Sequence, residues 1–87
     1  MNLPEFINTL EGYMKEDICI NYNSILNTIK ELCMQDSELT CRSTTSSMDK
    51  NKKLIAIYDE MTNTIYRIYI RKISDDNNYK ITDIDIV

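Results

Sequence analysis

The chain has 87 residues, one Gly, one Pro, no His and a net charge of −4, which allows one domain and no more. That composition excludes Gly-rich phosphate loops and nucleophile elbows, and the absence of His removes the commonest general base and zinc ligand. No apolar run approaches the ~20 residues of a membrane span, while 43% hydrophobic and 28% charged residues suit a soluble globular domain better than a disordered chain.

Asn2-Leu3-Pro4-Glu5 opens the first predicted element. It combines an Asn cap, a Pro in the first turn and a Glu three residues after the cap. A helix over 3–15 then places Phe6, Ile7, Leu10, Tyr13 and Met14 on one stripe, with Gly12 weakening its second half. A second helix is expected over 18–35. There Ile18, Tyr22, Ile25, Leu26, Ile29, Leu32 and Cys33 trace a wide buried stripe and Asp17 is placed to cap it. Asn23 offers a different cap, for a helix starting at Ser24 after an extended stretch.

From Leu39 the period changes to two. Strands are expected over 39–45, 54–59, 64–73 and 79–86. A four-residue loop between Asp59 and Thr64, with Asn63 left-handed, sets Ile57 opposite Tyr66 and Ile55 opposite Ile68. Centring the next hairpin on Asp76 sets Ile68 opposite Ile84 and Tyr66 opposite Ile86 on one face. On the other it sets Arg67 opposite Asp85 and Tyr69 opposite Asp83. Both faces then make chemical sense together.

The fold class is therefore α+β: two N-terminal helices packed on one face of a four-stranded antiparallel β-meander, in the order ααββββ, as a single domain over 1–87. The first and last strands are both read as edges. A bare edge invites strand addition by a second copy, making a homodimer, or by another protein.

Few residues carry chemistry. Cys19, Cys33 and Cys41 are odd in number and lack C-x-x-C spacing, which points to free thiols in a reducing, cytoplasmic compartment. No metal or cofactor is implied. Asp83 and Asp85 share a strand face, as a glycosidase pair would, but a two-layer domain this small builds no deep pocket around them, so no catalytic residue is assigned. The chain is read as a non-enzyme.

The alternation in 64–72 is the sharpest signal. It places Arg67, Tyr69 and Arg71 on the face opposite the core, with Tyr58 nearby and Asp83 and Asp85 across the sheet. Tyr and Arg are the residues most enriched at binding hot spots, so these six form the expected partner-binding set. Charge is also uneven. Residues 1–40 hold seven carboxylates against two lysines, 41–72 seven cations against three carboxylates, and 73–87 four carboxylates against one lysine.

In size and acidity the chain resembles small phage-encoded inhibitors of bacterial nucleases, anti-CRISPR proteins among them, and bacterial immunity proteins. The resemblance covers those two properties and no motif, so it carries no residue role. It implies an inhibitor encoded by a phage or mobile element, acting in the bacterial cytoplasm on a protein with a basic nucleic-acid-binding surface, by steric and electrostatic blocking. An immunity protein or antitoxin is one alternative. A small oligonucleotide-binding domain using the Arg67/Tyr69/Arg71 face is the other, although net charge and the two Asp count against direct nucleic-acid binding.

Overall fold

The computed structural model describes residues Met1–Val87. Helix α1 spans Leu3–Lys15 and β1 Ile20–Asn21; helix α2 spans Tyr22–Gln35. Strands β2 (Leu39–Thr45), β3 (Lys52–Asp59), β4 (Thr64–Ser74) and β5 (Asn78–Ile86) follow. All pairings are antiparallel, in the order β1-β5-β4-β3-β2.

The class is α+β, but the sheet has five strands where four were expected. The extra strand comes from the segment read as the first turn of the second helix. Asp17, expected to cap that helix, instead adopts a left-handed conformation (φ 58°), and Ile18 N–H closes back onto the Tyr13 carbonyl at 2.9 Å. Ile20 and Asn21 then pair with Tyr79 and Asn78. Pairing buries Ile20, while Ile18, assigned to the helical stripe, stays 42% exposed. The helix starts four residues late, capped by Asn21, whose side chain accepts from Ser24 N–H at 3.1 Å.

Helix α1 begins as its sequence dictates. Asn2 Oδ1 accepts from Glu5 N–H at 2.9 Å, Pro4 sits in the first turn and Lys15 lies in the last. It packs chiefly over β5, and α2 over β2, so the helices straddle one face of the sheet. Fifteen buried residues form a single cluster between the layers. Leu10, Ile29, Ile55, Ile57, Ile68 and Ile70 are the largest fully enclosed side chains, each contributing about 1.5–3 kcal/mol by leaving water.

Register is what positions the opposite face. In β3–β4, Ile57 lies opposite Tyr66 and Ile55 opposite Ile68, and Asn63 takes φ 53° in the loop. In β4–β5, Arg67 lies opposite Asp85 and Tyr69 opposite Asp83. The single centre at Asp76 fails beyond that point, because the pairing shifts between Tyr69 and Ile70. Thr82 is the extra residue, and its Oγ1 bonds to the Tyr69 carbonyl at 3.2 Å. The bulge returns Ile81 to the core opposite Ile70 and turns Lys80 outward opposite Arg71. A second shift leaves Ile73 unpaired and 45% exposed.

Candidate interaction surface

Alternation fixes what the helix-free face shows. With Ile55, Ile57, Ile68 and Ile70 pointing inward, their neighbours must point out. Four cross-strand rows result. Lys52, Arg71 and Lys80 form the first; Thr44, Leu54, Tyr69 and Asp83 the second. Arg42, Ala56, Arg67 and Asp85 form the third, and Thr40, Tyr58 and Ile65 the fourth. All six sequence-predicted residues therefore lie on one face. They are not contiguous, since Tyr58 sits at the β3–β4 loop end and Arg71 at the other.

The six play unequal parts. Arg67 is committed to Asp85, donating from Nε at 2.7 Å and from Nη2 at 3.1 Å. The hydrogen bond to Asp85 holds the guanidinium pKa above its ordinary value. A bidentate clamp of this kind fixes both side chains at the centre of the face. Tyr58 donates its hydroxyl to Asn63 Oδ1 at 2.9 Å, which ties it to the loop. Asp83 lies opposite Tyr69 but turns its carboxylate to its neighbour, Ile84 N–H, at 2.9 Å. Tyr69 and Arg71 make no side-chain hydrogen bond, so they are the two groups of the set free to meet something else.

The bulge adds a feature that the strand pattern concealed. Lys52, Arg71 and Lys80 stand directly abreast on three strands, an arrangement that costs stability in a sheet. Only Lys80 is neutralised, by Asp17 at 2.8 Å; that hydrogen bond holds the ammonium pKa above its ordinary value. Lys52 and Arg71 have no carboxylate within 4.0 Å. Beside them lies an open groove of about 500 Å³, walled by Lys52, Tyr69, Arg71, Thr82, Asp83 and Asp85. From sequence Lys52 reads, with Lys53, only as a cation at the turn that rims this face, and Lys80 is not singled out. Their signal is the phase change from apolar Tyr79 and Ile81 to apolar Ile84 and Ile86, which requires an inserted residue.

A second hollow of about 350 Å³ lies between the helices, lined by Phe6, Leu10, Tyr13, Ile20 and Ile25 among others, with no charged side chain. Neither hollow sets a nucleophile against a base. No three Cys, Asp or Glu side chains converge as a metal site would require. All three thiols are free. Burial pushes the Cys33 and Cys41 thiols above their ordinary pKa, helped at Cys33 by Asp36 and at Cys41 by Cys33, with Lys30 opposing at Cys41. No helix is long and apolar enough to cross a membrane. Comparisons with protein-family models, with curated proteins and with solved structures find no match to this chain.

Proposed function

We propose that this chain is a non-enzymatic protein-binding module that docks by the helix-free face of its sheet, and that it acts as an inhibitor of a nucleic-acid-processing enzyme. The observation that carries the reading is the state of that face. It holds Tyr69 and Arg71 uncommitted beside an immobilised Arg67–Asp85 pair and a half-buried Leu54. Rigid neighbours around a free Tyr and Arg are what a binding hot spot needs, because little side-chain freedom is lost on docking.

Apart from Asp17, which neutralises Lys80, the exposed acidic groups of the first half lie in the other layer, so one interface does not use both sets. The division suggests a two-sided device. The sheet face grips the target, and the helical layer, with Glu5, Glu11, Glu16, Glu31 and Asp36 exposed, faces outward and repels phosphate from the covered surface. An immunity protein or antitoxin would use the same physics on another target.

One observation favours a different class. The Lys52–Arg71 pair next to Tyr69 is a cationic rim beside an aromatic platform, the arrangement of a small oligonucleotide-binding face. Asp83 and Asp85 in the same groove oppose it.

The test is to pass bacterial lysate over the immobilised chain and two double variants, Tyr69→Ala with Arg71→Glu, and Glu11→Lys with Glu31→Lys. The proposal expects capture of an enzyme acting on nucleic acid, lost with the first pair and kept with the second. Capture indifferent to the first pair removes the sheet face as the docking surface. Capture of nucleic acid alone, falling steeply with salt, supports the oligonucleotide reading instead.

A further inference from the structure

The two long edges of the sheet are treated very differently. On β5 the pair Ile65/Val87 exchanges both backbone bonds, so by alternation Ile84 and Ile86 turn their N–H and C=O groups outward. That edge is blunted three times. Ile20–Asn21 covers its start, Asp83 Oδ1 takes the Ile84 N–H at 2.9 Å, and the charges of Asp83 and Asp85 would meet their own kind in a self-pairing.

Strand β2 has no such protection. Glu60 N–H bonds to the Glu38 carbonyl and Ser46 N–H to the Lys52 carbonyl, so the even residues of β2 bond to β3. The backbone groups of Cys41, Ser43 and Thr45 therefore point outward, and no donor or acceptor meets them. Seven edge residues, three of them Thr, carry one charge, Arg42, and no Pro.

From this contrast we infer that β2 is a dimer interface, pairing antiparallel with β2 of a second copy about a twofold axis at Ser43. Outward groups must face outward groups, which leaves only registers that match odd residues to odd. Centring on Arg42 sets two guanidinium groups directly opposite. Centring on Ser43 sets Arg42 opposite Thr44 of the second copy, and lets Cys41/Thr45, Ser43/Ser43 and Thr45/Cys41 each exchange two bonds. It uses every free backbone group of Cys41, Ser43 and Thr45 and sets no like charges directly opposite. The chain is self-complementary at that register, as an isologous interface requires.

An independent observation agrees. Met48 and Met34 are the most exposed large hydrophobics, at 96% and 86%. Met48 lies in the β2–β3 turn and Met34 at the end of α2, which leads into Leu39. Pairing about Ser43 brings Leu39 of one copy level with residue 47 of the other, and so sets the turn that carries each Met48 beside the start of β2 in the second copy. The exposed Met48 thioether is then placed at the rim of the paired strands, where it makes the kind of adaptable apolar contact that Met makes well. The result is a ten-stranded sheet whose two helix-free faces run on continuously.

The experiment is light scattering coupled to size exclusion over a concentration series of the full chain. The expected mass is twice 10.2 kDa. Ser43→Pro removes an N–H that no bond within the monomer uses, and Thr44→Arg sets a new guanidinium opposite Arg42; each should return the mass to that of the monomer with an unchanged circular dichroism spectrum. The inference is overturned by a wild-type chain that stays at 10.2 kDa throughout. It is equally overturned by dimers that survive Thr44→Arg, whose exposed side chain bonds to nothing in the monomer.

Discussion

The same three strands make two surfaces with opposite habits. Toward the helices, β3, β4 and β5 present Ile55, Ile57, Ile68, Ile70 and Ile81, all buried. Away from them they present Leu54, Ala56, Arg67, Tyr69, Asp83 and Asp85, all partly or fully exposed. Helical cover is the only difference between the sides, and it decides the chemistry. At its centre the covered side is uniformly apolar and excludes water. The uncovered side mixes phenol, guanidinium and carboxylate, and fixes some of them while leaving others free.

The contrast is broken most directly by exchanging sides. Ile68→Ala removes a fully buried side chain from the central strand and is expected to cost about 2–5 kcal/mol, read as a fall in the urea midpoint. Its neighbour Tyr69→Ala, on the uncovered side, should cost about 1 kcal/mol or less while abolishing partner capture. If both variants lose similar stability, the two sides are not energetically distinct.

Smaller effects sharpen the comparison on the helical side. Asn21→Ala removes the cap of α2 and should cost ~1 kcal/mol. Gly12→Ala should act in the other direction. A Cβ there meets nothing within 4 Å, and the residue lies inside α1, so a gain of ~0.5–1 kcal/mol in thermal or urea unfolding is expected.

The thiols give the smallest signal. Cys33 and Cys41, flanking the α2–β2 contact, hold their protons to higher pH than an unfolded thiol with its ordinary value of 9.0. In the window above that value the folded chain binds more protons than the unfolded one, so stability is full below it and declines as pH rises through the folded pKa values. A stability profile from pH 8 to 10 should steepen at its alkaline end and flatten in a Cys33→Ser/Cys41→Ser variant. Alkylation at neutral pH should reach exposed Cys19 first.

Those parts of the fold that answer to two faces at once were legible in the sequence. Pairing Ile57 with Tyr66 and Arg67 with Asp85 satisfies an apolar and a polar side simultaneously, and a slip of one residue would spoil both. Strand β1 had no comparable constraint. Two residues have no period, and Ile18, Tyr22 and Ile25 continued the helical spacing across it. The outcome was decided by a distant partner, the start of β5. The bulge at Thr82 escaped for a related reason, because a hairpin centred on one residue hides a change of phase further along. Hence Arg67, Tyr69 and Asp85 were placed from sequence, whereas the Lys52–Arg71–Lys80 row was not.

Strand order also bears on how the molecule comes to exist. The first helix rests chiefly on β5, and β1 pairs with nothing else. During synthesis α1 and β1 therefore stay without their seat until β5 has emerged. Loss of residues 79–87 removes the partner of both α1 and β1 and is expected to cost far more stability than a trimmed strand end, read as a collapse of the urea midpoint.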